Sequence, residues 1–308
     1  MKAAWPVHTL TAALLLSSVA AQAASAPVPR AVVADPARDA KHPAANRQVL
    51  IPSGGAGMNA LFFLAAGGGP KPTLLLLHGL PGNEQNLDLA QAVRRAGWNV
   101  LTMHYRGSWG SPGAFSLGGA VEDAEAAMAF LRQPENAAKY GIDPHRILIG
   151  GHSMGGFAAA RTAAAHPDVA GVVLIDAWNV GADGKGLRAH PESRAAAIAE
   201  IGDDFGNSLA GTDAAHLAEE IERHAEDWDL LALAPALATH PALVIGATYG
   251  GGASNKALAD AIRAQGKGQV SSMTLDSDHS FADHRIALAA AVVDWLEHQA
   301  APGAAGKK

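Results

Sequence analysis

The stretch Gly150-Gly151-His152-Ser153-Met154-Gly155-Gly156 stands between an apolar run, Arg146-Ile147-Leu148-Ile149, and an alanine-rich helical pattern from Phe157 to Ala165. Strand, tight turn and helix follow one another. Gly151, Ser153 and Gly155 spell G-x-S-x-G. A serine in that position sits on a strained strand-to-helix turn, with its Oγ raised above the carboxyl end of a sheet. The glycines two residues to either side stand where any Cβ would collide with the turn. Ser153 is therefore the candidate nucleophile.

Around this stretch, strands and helices alternate. Gln48 to Pro52 and Met58 to Ala65 make a hairpin across the glycine turn at 53–57. Thr73-Leu74-Leu75-Leu76-Leu77 is a continuous apolar run of strand length, as a strand covered on both faces requires. Asn86 to Ala96 reads as a helix, Val100 to His104 as a strand, and Gly118 to Arg132 as a helix. That last helix carries Glu122, Asp123 and Glu125 early, where acids suit the helix dipole. Ile147 to Ile149 is the strand before the serine, and Ala170 to Ile175 the next. The pattern resumes with Ala242 to Ile245 (strand), Lys256 to Arg263 (helix), Val270 to Leu275 (strand) and Ala282 to His298 (helix). Such alternation predicts a doubly wound, mostly parallel α/β sheet. The core spans 47–177 and 241–299. Between its two parts, 178–240 holds helical patterns (Arg194 to Ile201, Ala214 to Ala225) and no strand run. Sixty residues is far beyond an ordinary connection, and the stretch is expected to be a helical cap over the active face.

The ends read differently. Lys2, the apolar run Leu10 to Ala21 and the small-x-small pattern Ala21-Gln22-Ala23 read as a secretory signal peptide over 1–23. The apolar run is too short for a membrane span. The expected location is a periplasm or the outside of the cell. Residues 24–46, rich in Ala, Pro and charge, are expected as a flexible lead-in, and 300–308 as a tail. The chain of 308 residues has a net charge of −6 and no basic block, which argues against nucleic acid as a partner. It has no cysteine, so neither a thiol nucleophile nor a cysteine-ligated metal is available. The histidines form no metal-binding spacing, and no cofactor is implied.

Acyl transfer by serine needs a base, a group to orient it, and donors for the oxyanion. His279, in Asp278-His279-Ser280-Phe281, follows the last strand and precedes the last helix, so it faces the serine's turn across the sheet edge. Of the chain's 14 histidines it is the best-placed base. His152 is expected to point away from the site and His78 to be structural, while His284 is expected on the last helix. The oxyanion donors are backbone N–H groups: Met154, at the positive end of its helix, and Leu80, in His78-Gly79-Leu80-Pro81-Gly82.

These pieces together resemble an α/β-hydrolase of the serine esterase, lipase and peptidase kind. H-G-L-P-G at 78–82, Y-R-G-S-W-G-S-P-G at 105–113, G-H-S-M-G-G at 151–156 and D-H-S-F at 278–281 stand in that superfamily's order over residues 48–298. The 105–113 segment is similar to the Arg-Gly loop of bacterial esterases and of the prolyl-oligopeptidase-like branch, where it shapes the pocket; Arg106 is given no catalytic part. The resemblance implies a secreted serine hydrolase acting on a small-molecule ester. A peptidase or amidase of the same fold, or a binding protein on a hydrolase scaffold, are the alternatives. It also implies an Asp near residue 250, yet Gly246-Ala247-Thr248-Tyr249-Gly250-Gly251-Gly252-Ala253 has no carboxylate. The acid is therefore Asp176, at the end of the preceding strand, or Asp203 or Asp204 from the helical stretch, or it is lacking.

Overall fold

A computed structural model of the chain describes residues 27–205, 208–266 and 269–300. The signal peptide expected over 1–23, and the tail expected over 300–308 apart from Ala300, which closes the last helix, lie outside the described residues. Eight strands form one sheet: β1 (Ala45–Ser53), β2 (Ala56–Leu64), β3 (Lys71–Leu77), β4 (Asn99–Met103), β5 (Ile142–His152), β6 (Val172–Ile175), β7 (Ala242–Tyr249) and β8 (Val270–Asp278). Their order is β1-β2-β4-β3-β5-β6-β7-β8. β1 with β2 and β2 with β4 pair antiparallel, and every later pair is parallel. The sheet is doubly wound and mostly parallel, as the alternation predicts.

Period-two alternation within apolar strands sends neighbouring side chains to opposite faces. Leu75 and Leu77 of β3 join Ile149, Leu174 and Val244 on one face. There they meet Ala124 and Met128 of the helix Leu117–Arg132, Phe157 of the helix Met154–Ala165, and Leu258 of the helix Gly252–Ala264. Leu74 and Leu76 join Leu148, Val173 and Ile245 on the other face, against Leu89 and Val93 of the helix Leu87–Arg95 and Leu288 and Val292 of the helix Arg285–Ala300. With both faces covered, the ends of the strands are left for chemistry. β5 and β6 run side by side to the same edge, with His152 opposite Ile175.

Several local expectations differ from the structure. A flexible lead-in is expected over 24–46, but from residue 27 the chain lies against the body. A short helix, Arg30–Val33, accepts hydrogen bonds at Ala31 O and Val32 O from Arg95, and Gly67 N–H donates to His42 O. Asp123 is no solvated partner of a helix dipole. Its helix starts at Leu117, which places Asp123 in the second turn. There it is buried and accepts from Ser53 Oγ (2.6 Å), Arg106 Nε (2.5 Å) and Arg106 N–H (2.8 Å). The first turn is satisfied instead by Ser116 Oγ on Gly119 N–H and by the Glu220 carboxylate on Leu117 and Gly118 N–H. His284 stands just before the last helix, which begins at Arg285.

Within 178–240 the described helices are Val180–Ala189, Arg194–Phe205 and Ala214–Arg223, with short turns at Leu230–Leu233 and Ala234–Leu237. The stretch is tied to the loop after β4. Ser108 bridges Leu209, Ala210 N–H donates to Gly107 O (2.7 Å), Phe115 N–H donates to Ala210 O (2.9 Å), and Trp109 N–H donates to Ser208 O (3.3 Å).

Candidate active site

Ser153 follows β5 directly and precedes the helix Met154–Ala165. Its φ is 55° and its ψ −120°. A non-glycine residue at positive φ costs about 1–3 kcal/mol and persists only where its surroundings fix it. Here Ser153 N–H donates to Ile175 O (3.0 Å), and Ser153 O accepts from Trp178 and Phe157 N–H (2.9 and 3.1 Å). A Cβ on Gly155 would stand 2.3 Å from Leu77 O, so the flanking glycine lets the helix close on β3. The turn carries its serine over the carboxyl edge of the sheet. The H-G-L-P-G loop presses against it, since a Cβ on Gly79 would stand 2.9 Å from Ser153 Cβ and 3.4 Å from its Oγ. Leu80, the expected second donor, is the next residue in that loop. Met154 opens the helix, so its N–H has no preceding turn to bond.

His78, at the start of the loop, is buried, with Nδ1 2.7 Å from Gly79 O. Burial pushes its imidazole down to about 4. It is structural, as expected. A cavity of about 610 Å³ opens behind this loop, walled by Leu50, Leu61, Leu87 and His104; Ser153, Asp176 and His279 are not among its lining residues, so a carbonyl under attack would not sit there.

Asp176 follows β6 immediately, in left-handed backbone at φ 41°, and its side chain is 0% exposed. A buried carboxylate needs partners on both oxygens. Oδ1 accepts from Ala247 N–H (2.9 Å), and Oδ2 accepts from Gly251 N–H (2.8 Å) and faces His279 Nδ1 at 2.6 Å. A carboxylate can only accept, so Nδ1 carries the hydrogen and Nε2 is left as the basic nitrogen. The His279 ring is 45% exposed. Asp176 and His279 are thus joined at the edge where Ser153 stands. Among the described residues Ser153 Oγ has no hydrogen-bond partner: the Asp176–His279 bond is formed, and the bond from His279 to the serine is open. Asp203 lies exposed on the helix Arg194–Phe205, and the side chain of Asp204 is outside the described residues.

The glycine at 250 explains the absent carboxylate. A Cβ there would stand 2.3 Å from Asp176 Oδ2 and 3.1 Å from His279 Cα. The space that an acid after β7 would need is filled by the carboxylate arriving from β6.

One expectation is corrected. His152 does not turn away from the site. Its Nε2 lies 2.7 Å from His279 O, and its ring is 4.6 Å from the His279 ring. No sequence signal separates the two orientations, because the partner is a backbone oxygen 127 residues away.

An eight-stranded sheet in this order, with a strained serine turn after β5 and a carboxylate–histidine pair at the same edge, has a known counterpart. The chain has the α/β-hydrolase fold. The sequence model for the alpha/beta hydrolase fold matches residues 72–206. Among solved structures, the carboxylesterase EstE1, cloned from a metagenomic library, superposes with a TM-score of 0.59 at 24% identity, covering 85% of this chain and 91% of its own. A thermostable carboxyl esterase from Bacillus coagulans does so with a TM-score of 0.61 at 15% identity, covering 82% and 98%. Among curated proteins, the uncharacterized protein Rv2307c of Mycobacterium tuberculosis is 32% identical over 129 residues, 42% of this chain and 44% of its own length. The chain therefore spans under half the length of that relative. Among the described residues no helix is long and apolar enough to cross a membrane.

Proposed function

We propose that the chain is a secreted serine carboxylesterase acting on small esters through an acyl-enzyme. The observation that carries this reading is the 2.6 Å bond between His279 Nδ1 and Asp176 Oδ2 beside the strained turn of Ser153. Asp176 fixes the tautomer that leaves His279 Nε2 free to accept a proton. Ser153 Oγ attacks the acyl carbon while His279 takes its proton. The N–H groups of Met154 and Leu80 receive the oxyanion, each such donor being worth about 3 kcal/mol of barrier. His279 returns the proton to the leaving alcohol, and water then hydrolyses the acyl-enzyme by the same route. The open His279–Ser153 bond suits a site whose catalytic contacts tighten on binding substrate.

One further point supports the smaller substrate. The 178–240 stretch, proposed as the wall of the acyl pocket, is fastened to the 107–118 segment by backbone hydrogen bonds and by Glu220. A stretch so tied does not swing aside to expose a broad apolar surface to lipid. Secretion rests on Lys2, the Leu10–Ala21 run and Ala21-Gln22-Ala23; N-terminal sequencing of the protein recovered from its host is expected to begin at Ala24.

The test of the catalytic reading pairs a fluorophosphonate probe with turnover of p-nitrophenyl acetate and butyrate. The probe is expected to label Ser153, and Ser153→Ala to abolish both labelling and turnover. A wild-type protein that is neither labelled nor active would sink the proposal.

A further inference from the structure

Resting on the reading of His279 as general base, we propose that His152 is a positioning residue that clamps the His279 loop to the strand bearing the nucleophile. His152 ends β5, one residue before Ser153, and is 4% exposed. Its Nε2 lies 2.7 Å from the carbonyl oxygen of His279 itself. A carbonyl only accepts, so Nε2 carries the hydrogen and donates it. Nδ1 is then bare, and among the described residues it has no partner. The imidazole also packs against the loop, with ring centroids 4.6 Å from His279 and 6.4 Å, edge-on, from Phe281.

Among the described residues, no other hydrogen bond of the loop runs to β5. The end of β8 pairs with β7 at Tyr249, and Arg285, which holds Ser280 O, is itself held by Asp88 and Asn86 where the helix Leu87–Arg95 opens. Asp278 Oδ1 accepts from Ala282 N–H (2.9 Å), Ser277 Oγ bonds Asp283, and Arg285 donates to Ser280 O (2.9 Å). These hold the turn's shape, including Phe281 at φ 54°. They do not hold its distance from β5. Asp176 orients the His279 ring from β6, but through the side chain, about which the backbone could still shift. The His152 bond fixes the backbone of the base relative to the residue adjoining the nucleophile. Nucleophile and base are thereby set by one short covalent path and one hydrogen bond. Burial, and then the neighbouring His279, push the His152 imidazole down to about 4, so the ring stays the neutral single donor that this bond needs near neutral pH.

Two substitutions separate clamp from filler. His152→Met keeps bulk and removes the donor; His152→Gln offers an amide N–H near the place of Nε2. On p-nitrophenyl acetate, His152→Met is expected to lower kcat roughly 10- to 100-fold, the cost of a misplaced catalytic group, with KM within about threefold. His152→Gln is expected to restore most of that loss. The downfield proton resonance of the His279–Asp176 bond is expected to shift or broaden in the Met variant and to persist in the Gln variant. Wild-type kcat with an unmoved resonance in His152→Met would overturn the proposal. So would equal losses in both variants with the resonance unmoved, which would mark His152 as packing alone. The resonance needs no turnover. If wild-type Ser153 is not labelled by fluorophosphonate, the esterase reading fails, while the clamp is still decided by the proton signal.

Discussion

At the scale of single residues, the proposed site turns on one exchange: a glycine where an acid would stand, and an acid one strand earlier. Asp176 has three partners within 2.9 Å and no exposed side-chain surface, so its carboxylate is committed to His279 and to the backbone at the end of β7 and just beyond it. Asp176→Asn keeps the shape but offers an amide to a ring that needs an acceptor, and kcat is expected to fall about 10⁴-fold. Asp203→Asn, exposed on its helix, is expected to leave kcat unchanged, and steady-state assays of the two side by side check the assignment. Gly250→Ala makes a second, independent test. Its Cβ would enter the space of Asp176 Oδ2, so kcat is expected to drop with little change in KM. A Gly250→Ala enzyme of full activity would mean that the carboxylate can move without harm. In the sequence, Asp176 stands apart from Asp203 and Asp204 only by its place at a strand end and by keeping the order Ser, Asp, His. What decides is where a glycine leaves room, and that is a property of two strand ends meeting rather than of either one.

At the scale of elements, local preference matched the structure where packing agrees with it. The apolar runs of β3, β5 and β7 are covered on both faces, and their sequences announce it. It failed where packing overrides preference. The helix Val180–Ala189 contains Gly181, Gly184 and Gly186, which weaken any helical pattern, so 178–190 shows no helical signal. The structure gives two of those glycines a purpose. A Cβ on Gly181 would stand 2.2 Å from Asp229 N, and one on Gly184 would stand 2.3 Å from Ile221 O. The helix exists because it can lie close on the helix Ala214–Arg223, not because its residues favour helix. Gly186 has nothing within 4 Å of where a Cβ would be built. The same substitution is therefore expected to have opposite signs two residues apart. Gly186→Ala should stabilise the protein by about 0.5–1 kcal/mol through helix preference. Gly184→Ala should destabilise it, because the gain is overtaken by a backbone collision. Urea midpoints of the two variants decide this, and two shifts in the same direction would show that the close approach is not what shapes this helix.

At the scale of the molecule, a doubly wound, mostly parallel sheet was legible because alternation leaves few topologies, whereas the charge state of the interior was not. Two imidazoles, His78 and His152, are buried at the carboxyl edge, and desolvation pushes each from 6.5 down to about 4. The folded protein thus refuses protons that the unfolded chain accepts. Their contribution is fully present above about pH 6.5 and is lost as the pH falls toward 4, at up to about 3 kcal/mol for each. Asp88 and Asp229, whose carboxyl groups are held below the usual range by Arg285 and by Lys185 respectively, against the opposing pull of burial, add their losses only at still lower pH. Stability is therefore expected to fall between pH 6.5 and 4, before those carboxylates begin to protonate. His78→Asn separates the cause. Its amide can still reach Gly79 O, but it carries no titrating group. The variant is expected to start weaker at pH 7 and to lose less on going to pH 4.5, with a pH slope shallower by about one proton. Urea unfolding at the two pH values measures the difference directly. Parallel slopes in wild type and variant would mean that His78 takes up its proton without unfolding, and that water reaches the back of the loop at 78–82.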